Sequence, residues 1–351
     1  MRDRSRAPRI LAVRLDSDGD VLLAGPAVRQ LAAGAVVDLL VSPDGAGAAA
    51  LLPDVDEVLV AEVPWAGREP VGPAPHLLDE LRELVRRGHY DEVVVLTSYH
   101  QSPLPMALVA RWAGVPRVVG TSDAFPGSLL DVRHRRVEEG DDPGFGGGHE
   151  VEAMCALVEA AGHPRTGNDH LRVLHPPPPA DLGEHYVVLH PTASVPARAI
   201  GPERATEHAA ALAGEGWSVV VTGAPGEEHV GRQVTPSNGT DLTGRTSFAE
   251  LAGVLSGAAA VVVGNTGPAH LAAAVGTPVV SVFAPVVPWE RWRPWGVATV
   301  RLGDQEAPCR LTRARTCPVE GHPCTTSVTG SDVVEAVRAL ARVPAPALEV
   351  S

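Results

Sequence analysis

The most regular pattern of apolar and polar positions lies in the second half of the chain. Three valines at residues 261–263 are followed by a Gly-Asn-Thr-Gly-Pro turn, an alanine-rich stretch and a second apolar run at residues 277–285. A β-branched run before such a turn is typical of a buried strand, and the alanine-rich stretch is typical of a short helix. The pattern therefore predicts a βαβ unit.

A similar alternation fills the first half of the chain. Apolar runs typical of strands occur at residues 10–15, 36–41, 57–61, 92–96 and 117–120. Helical patterns separate or follow them, at residues 21–33, 77–87, 105–113 and 151–161. Strands that alternate with helices predict a parallel, doubly wound sheet. Residues 123–148, rich in glycine, proline and charge, are predicted to form a mobile loop.

The pattern restarts after a proline-rich spacer at residues 176–179, which suits a domain boundary because such a spacer is stiff and extended. Predicted strands follow at residues 186–190, 218–222, 259–264 and 279–283, and predicted helices at residues 202–215, 247–256 and 331–342. We therefore predict an N-terminal domain at residues 1–175, a C-terminal domain at residues 183–330, and a C-terminal helix and tail at residues 331–351.

Composition and charge exclude several classes of protein. The 351 residues are 44% apolar and 20% charged, which is enough for two α/β domains with separate cores. A net charge of −13 argues against nucleic acid as a partner. The sequence contains neither an apolar run long enough to span a membrane nor the pattern of a signal peptide. We therefore expect a cytoplasmic protein with at most peripheral contact at the inner face of the membrane.

The turn at residues 264–268 is a candidate anion site. Pro268 suits the first turn of a helix, and the side chain of Asn265 or Thr266 is expected to cap that helix. Backbone N–H groups and the positive end of the helix dipole favour a phosphate there. The alternative is a helix cap without a ligand. His270, one turn into the helix, is equally consistent with a packing residue and a ligand contact.

An acidic loop after the first predicted strand is the second candidate site. It carries Asp16, Asp18 and Asp20. Asp20 is either the cap of the following helix or a general base, which must stay unprotonated within hydrogen-bond distance of a hydroxyl. The spacing also resembles the start of an EF-hand calcium loop, but Val21 and Ala27 occupy the positions of its glycine and glutamate. Calcium is therefore disfavoured.

Domains of this kind bind ligands at the carboxyl ends of their strands. In two facing domains, the acidic loop and the turn at residues 264–268 would both point into the cleft. A base on one wall and an anion cradle on the other is the arrangement expected for moving a group from a diphosphate donor to a hydroxyl acceptor.

Three other groups have roles that the sequence leaves open. Cys309, Cys317 and Cys324 lie near His322, but their spacing lacks the close C-x2-C pair of most structural zinc sites, so a buried structural cluster is favoured over a metal site. The arginines of residues 133–136 either contact an anionic acceptor or form a solvated charge run. Trp289 either stacks on a base or sugar ring or clamps its loop.

Four segments together resemble glycosyltransferase family 9, the bacterial ADP-heptose:lipopolysaccharide heptosyltransferases. They are RLDSDGDVLLAGPA at residues 14–27, HPTAS at residues 190–194, NTGPAH at residues 265–270, and the tail with the three cysteines. The resemblance implies an α/β fold of GT-B architecture, with two Rossmann-like parallel-sheet domains facing a cleft. It also implies that the C-terminal domain holds most of the nucleotide-sugar, and that transfer inverts the anomeric centre without an obligatory metal or other cofactor.

The resemblance also assigns roles to single residues. Asp20 matches the general base, which deprotonates the acceptor hydroxyl as it attacks the anomeric carbon. Arg198 is the nearest match to a basic residue of the family that contacts the donor. Asn265 stands where the family has an aspartate. This replacement removes a negative charge and is therefore expected to ease phosphate binding. The full set of predicted donor-binding residues is Thr192, Ser194, Arg198, Asn265, Thr266, Gly267, Pro268 and His270.

We therefore predict an inverting glycosyltransferase that moves a sugar, with a heptose expected, from a nucleotide-diphosphate donor to a hydroxyl of a glycan, glycolipid or metabolite. One alternative is a nucleotide-sugar epimerase of the same fold, which would need carboxylates in both halves of the site. The other is a non-catalytic nucleotide-sugar binding module, which would tolerate the loss of Asp20.

Overall fold

The computed structural model describes residues 7–67, 74–136, 148–183 and 185–341. The chain divides into two compact units, Met1–Arg172 and Val173–Ser351. Each unit is built on a six-stranded parallel sheet with helices between the strands. This confirms the predicted α/β fold class of two Rossmann-like parallel-sheet domains.

The sheet of the first unit has the strand order β3-β2-β1-β4-β5-β6. Its strands are β1 (Arg9–Arg14), β2 (Val36–Val41), β3 (Val58–Val60), β4 (Glu92–Val95), β5 (Val118–Thr121) and β6 (Val132–His134). The chain builds outward from β1 in one direction, and then returns to add β4 on the other side. The loops after β1 and β4 therefore diverge, which is the geometry that opens a ligand crevice in doubly wound sheets.

The described residues of this unit contain five helices, four of them between strands and the fifth after β6. They are α1 (Asp18–Ala32), α2 (Ala46–Ala49), α3 (Pro75–Arg87), α4 (Leu104–Trp112) and α5 (Glu150–Ala160). Helix α1 packs against α5 on the sheet.

The second unit repeats the same arrangement, with the strand order β12-β11-β10-β7-β8-β9. Its strands are β7 (Tyr186–His190), β8 (Ser218–Val221), β9 (Thr240–Asp241), β10 (Ala260–Gly264), β11 (Val279–Val282) and β12 (Thr299–Leu302). Here the divergence lies between β7 and β10.

The described part of the second unit contains seven helices. They are α6 (Pro202–Gly214), α7 (Glu228–Val234), α8 (Phe248–Ser256), α9 (Gly267–Ala274), α10 (Trp289–Trp292), α11 (Pro323–Thr326) and α12 (Gly330–Leu340). The predicted C-terminal helix is α12, and it packs against α6 within this unit. The tail predicted to follow it lies outside the described residues from residue 342 onward.

Helices cover both faces of the central strands, so the central strands read as continuous apolar runs. The three valines of β4 are at most 3% exposed, and the residues of β10 are fully buried. The predicted central strands were therefore correct to within one or two residues.

The predictions failed at three of the four edge strands and at the start of α1. Helix α1 begins at Asp18 instead of Val21, with Ser17 at the N-cap position. Residues 123–148 were predicted as a loop, yet β6 lies within them and pairs with β5; residues 137–147 of that stretch lie outside the described residues. Strands β9 and β12 and the short helices α2, α7, α10 and α11 were not predicted.

In the part of the chain that the structure describes, no helix combines the length and the apolar character needed to cross a membrane.

Candidate functional site

The predicted donor-binding residues meet at the divergence point of the second sheet. Strands β7 and β10 are neighbours there, with His190 beside Val263. Strand β7 leads into the turn with Thr192 and Ser194, and β10 leads into Asn265. The carboxyl ends of parallel strands at such a point are where doubly wound sheets bind ligands. The structure therefore brings two segments together that lie about 75 residues apart in the sequence.

Arg198 is held against the end of β10. It closes a short 3-10 turn, Pro196–Arg198, in which the backbone N–H of Ala197 donates to the carbonyl of Arg315 at 2.9 Å. A Cβ atom at Gly264 would overlap the carbonyl oxygen of Arg198. Glycine is therefore needed at residue 264 so that this turn can approach the loop at residues 264–268. The approach places the backbone of a basic residue beside the start of α9.

Asn265 links the ends of β10 and β11. Its amide nitrogen donates to the carbonyl of Ala284 at 3.2 Å, and its amide oxygen accepts from the N–H of Ala284 at 3.1 Å. The residue is 7% exposed. A carboxylate could accept but not donate in this position. The amide therefore fixes the loop that precedes α9, while its predicted contact with the donor stays a prediction.

Thr266 occupies the N-cap position of α9, and Gly267 and Pro268 form its first turn as predicted. The expected side-chain cap was wrong: Thr266 makes no capping hydrogen bond, and the Asn265 amide is bonded to Ala284. Backbone bonding supplies part of the cap, since the N–H of Ala269 donates to the carbonyl of Thr266 at 3.0 Å. His270, which is 6% exposed, lies inside the helix as a largely buried residue.

His190 is a feature of this site that the sequence did not assign. Its Nδ1 lies 2.9 Å from the Thr222 hydroxyl and its Nε2 lies 3.4 Å from the Thr192 hydroxyl. Burial lowers the pKa of His190 to about 4. The imidazole is therefore neutral at pH 7 and orients Thr192 without adding positive charge.

Replacing Asn265 with aspartate is expected to destabilise the protein at pH 7. The new carboxylate cannot donate a hydrogen bond to the carbonyl of Ala284, and one of its oxygens lies next to that carbonyl oxygen. The free energy of unfolding should therefore fall by about 1 to 3 kcal/mol. Urea denaturation at pH 7 and pH 4 tests this, because a protonated aspartate regains an O–H donor and the deficit should shrink at the lower pH. Asn168→Asp is the matched control, since the Asn168 side-chain oxygen serves as an acceptor and is exposed. Equal deficits in the two variants would contradict the role assigned to Asn265.

In the first unit, Arg14 organises the acidic loop from the end of β1. Its side chain is fully buried. It lies 3.1 Å from a carboxylate oxygen of Asp16 and donates at 3.1 Å to Asp20. It also donates to the Ser98 hydroxyl at 2.8 Å and to the carbonyl of Leu96 at 3.2 Å. One guanidinium therefore ties the two carboxylates to the end of β4.

Asp20 lies in the first turn of α1, as its third residue, and its side chain is 25% exposed. Of the two roles left open for Asp20, the helix cap was wrong, because Ser17 holds the N-cap position and donates its hydroxyl to the Asp20 carboxylate at 3.3 Å. A part-exposed carboxylate held by a buried arginine is oriented and still accessible. This geometry is compatible with a general base.

The other two aspartates of the loop have separate partners. Asp16 accepts from the Gln101 side chain at 2.5 Å, and Asp18 accepts from the N–H of Ala48 at 2.7 Å. Burial raises the pKa of Asp16, and the neighbouring charge of Asp20 adds to that effect. Across the described residues, no three histidine, cysteine or acidic side chains are grouped to hold a metal ion. The arrangement offers nothing in favour of the calcium alternative.

The cysteine cluster packs beneath the candidate donor site. Cys309 and Cys324 are buried in an apolar cluster with Ala197 and Ala284, and Cys317 packs against it. Burial raises the pKa of the Cys324 thiol to about 12. His322 lies 3.1 Å from the carbonyl of Ala197. These side chains therefore support the segments that carry Arg198 and Asn265, as expected for the structural alternative.

Trp289 and two arginines of residues 133–136 are engaged within their own units. Trp289 packs edge-on against Phe283, with the Arg301 guanidinium over its ring. Arg136 forms two bonds of 2.9 Å with the buried carboxylate of Glu150, and Arg133 donates to the carbonyl of Ser122 at 2.8 Å. These contacts favour a clamp for Trp289 and internal pairing for the arginines over a solvated charge run.

The sequence is similar to known proteins over most of its length. A model of glycosyltransferase family 9 (heptosyltransferase) matches residues 79–322. A lipopolysaccharide heptosyltransferase 3 of Escherichia coli is 32% identical over 147 residues, which are 39% of this chain and 42% of that protein. The chain thus spans about two fifths of the length of this curated relative.

Solved structures share the fold over nearly the full chain. A glycosyl transferase family 9 protein from Veillonella parvula superposes with a TM-score of 0.75 at 18% identity, covering 97% of this chain and 98% of its own. The E. coli heptosyltransferase WaaC with ADP-2-deoxy-2-fluoro heptose superposes with a TM-score of 0.69 at 21% identity, covering 94% and 99%. At this level of identity the likeness establishes the fold alone.

Proposed function

This chain belongs to glycosyltransferase family 9 (heptosyltransferase), and from that membership we propose that it is an inverting glycosyltransferase. It transfers a sugar from a nucleotide-diphosphate donor to a hydroxyl group of a glycan, glycolipid or metabolite. The observation that carries the proposal is that each of the two similar sheets carries a candidate site at the equivalent place. One offers a part-exposed carboxylate, and the other offers hydroxyl groups, a helix start and an arginine.

The second unit holds the donor in this proposal. The hydroxyls of Thr192, Ser194 and Thr266 bind the diphosphate oxygens, and Arg198 supplies positive charge through its planar guanidinium. Gly267 and Pro268 shape the start of α9 so that backbone dipoles face the anion. The neutral His190 supports this grip by orienting Thr192.

Asp20 of the first unit is the general base. Its carboxylate takes the proton of the acceptor hydroxyl while the hydroxyl oxygen forms a bond to the anomeric carbon. The bond from that carbon to the diphosphate oxygen breaks, and the nucleoside diphosphate leaves with the electron pair. Because attack and departure occur on opposite faces, the anomeric configuration inverts.

ADP-heptose is the first donor to test, because a solved heptosyltransferase of the same fold contains an ADP-heptose analogue. The expected independence from a metal and the cytoplasmic location stay predictions. No nucleic-acid partner is part of the proposal, since the net charge is −13.

A donor screen tests the proposal. We expect one of the ADP-, GDP-, UDP- or dTDP-linked sugars to raise the melting temperature, and nucleoside diphosphate to be released when an acceptor is added, with or without EDTA. NMR of the product should show an inverted anomeric centre. An epimerised donor would instead identify an isomerase, and stabilisation without any turnover over a broad acceptor panel would identify a binding module.

A further inference from the structure

A fully buried carboxylate in the first unit lies outside the residues assigned to the reaction. It belongs to Glu150, the first residue of α5, whose side chain is 0% exposed. Its two oxygens accept bonds of 2.9 Å from two nitrogens of Arg136, and the Arg136 side chain is 8% exposed. Desolvation of both groups offsets much of the attraction within such a buried ion pair. Stability alone therefore does not explain the pair.

The Glu150 pair is joined to the acidic loop through the end of β4. Arg136 donates to the carbonyl of Thr97 at 3.0 Å. Arg14 donates to the residues before and after Thr97, at 3.2 Å and 2.8 Å. Helix α5 also packs against α1, which carries Asp20. The two guanidiniums are thus bound to three consecutive residues, so the two ion-paired groups form one network.

The charges in this network do not balance. Among the described residues it contains the guanidiniums of Arg14 and Arg136 and the carboxylates of Asp16, Asp20 and Glu150. All five side chains are at most 25% exposed, so water screens their interactions poorly. Burial raises the pKa of Asp16 against the opposing charge of Arg14, and the charges of Asp20 and Glu150 add to the rise. The excess of negative charge therefore favours the uptake of a proton.

Arg14 by itself would weaken a base beside it. A guanidinium in contact with a carboxylate favours the charged form and so lowers its affinity for protons. A general base works best when its pKa lies near the working pH, because it must be ionised and still take up a proton. Burial acts to lower the pKa of Arg14, yet that pKa is raised because three carboxylates act on it, Glu150 among them. A negative charge at Glu150 thus opposes the effect of Arg14 on its other partners.

Other titratable side chains lie on the elements that pack around this network. Asp18 accepts from the N–H of Ala48, and the ring of His149 accepts from the N–H of Val151. The others are Asp44 in the 3-10 turn Pro43–Gly45, His100 in the loop after β4, and His134 on β6. Of the acids named here Glu150 alone is fully buried, so its charge is the least screened.

We propose that Glu150 is a positioning residue that sets the proton affinity of Asp20 through Arg14. Its negative charge fixes the Arg14 guanidinium and offsets the loss of basicity that this guanidinium imposes on Asp16 and Asp20. Arg136 holds Glu150 in place. The proposal rests on the proposed glycosyl transfer for the role of Asp20 as the base, and on the buried charges for the direction of the effect.

The titration of the two aspartates can be followed without a substrate. Carboxyl-carbon NMR of the full chain labelled at aspartate reports it, with signals assigned from Asp16→Asn and Asp20→Asn. We expect Glu150→Gln, which removes the charge and keeps the size, to lower the pKa of Asp16 by about one unit. Glu152→Gln is the matched control, because it removes the same charge from the same turn of α5 at an exposed residue. Its effect should be much smaller.

Two further variants separate charge from packing. Glu150→Gln combined with Arg136→Gln deletes the whole pair and restores the excess of one negative charge, so the pKa of Asp16 should return toward its wild-type value. Glu150→Asp keeps the charge and should leave that pKa within about half a unit. Equal shifts in Glu150→Gln and Glu152→Gln would overturn the proposal, as would a shift that the double change deepens.

Kinetics distinguish this role from the reaction itself. Glu150→Gln should lower kcat at pH 7 by about threefold to tenfold with an unchanged KM for the donor, and should move the acidic limb of the pH profile to lower pH. The double change should recover both. A shifted Asp16 titration with no turnover of any donor by the wild-type chain would refute glycosyl transfer and keep the electrostatic role. Turnover that Asp20→Asn abolishes and Glu150→Gln leaves unchanged at every pH would keep glycosyl transfer and refute the role of Glu150.

Discussion

Asp20→Asn is expected to lower kcat by about 100-fold or more, because an amide cannot take the proton of the acceptor hydroxyl. Donor affinity, measured by titration calorimetry, should stay within about twofold, since the proposed donor contacts all belong to the second unit. The asparagine keeps the size of the side chain and an oxygen that accepts from Arg14. The loss should therefore report on proton transfer rather than on the folding of the loop.

Asp16→Asn is the comparison for this prediction. Asp16 shares Arg14 with Asp20, and burial raises its pKa, so it is the competing candidate for the base. We expect Asp16→Asn to lower kcat by less than Asp20→Asn, because the Asp16 side chain is less exposed, at 16% against 25%, and is bonded to Gln101. The reverse order of effects would transfer the catalytic role to Asp16, and an unchanged kcat in Asp20→Asn would remove Asp20 from the mechanism.

The central strands of both sheets could be predicted because they are buried on both faces, which forces an unbroken apolar run. Of the four edge strands, β3 was predicted from its apolar run, whereas β6, β9 and β12 were not. Strand β6 reads Val-Arg-His and β9 reads Thr-Asp, so each carries the polar residues of a half-solvated edge. The sequence of such a short run cannot be distinguished from that of a loop. Only its hydrogen bonds to a neighbouring strand identify it as a strand. Pairing, rather than composition, determines these strands.

Local sequence motifs predicted the positions of the two candidate sites, but they did not predict the hydrogen bonds and ion pairs within each site. Asn265 bonds to Ala284, and this contact depends on the register that sets Gly264 beside Val282. The partners of Arg14 include Ser98, on a loop 84 residues further along the chain. A single charged residue at the end of an apolar strand was the available signal for Arg14. Its partners are set by tertiary packing.

Arg14→Met is expected to destabilise the first unit by about 3 kcal/mol or more, because removal of one partner leaves charged groups unpaired in a buried setting. Hydrogen exchange of the β1 and β4 amides would localise the loss. Arg111→Met is the control in the same unit: Arg111 is 25% exposed and its partner Asp131 is 40% exposed, so its loss leaves no buried carboxylate and should cost less.

The pH dependence of the stability lost in Arg14→Met distinguishes an electrostatic role of Arg14 from a packing role. Without Arg14, the carboxylates of Asp16 and Asp20 repel each other at pH 7, and this repulsion disappears as they take up protons. Because burial already raises the pKa of Asp16, the deficit should begin to shrink at a higher pH than an exposed aspartate would allow. Adding either Asp16→Asn or Asp20→Asn to Arg14→Met should recover part of the lost stability at pH 7, as a double-mutant cycle for each pair would show. A deficit that is independent of pH and additive with these changes would mean that Arg14 acts through packing alone, and that the orientation of Asp20 must come from Ser17 and the start of α1.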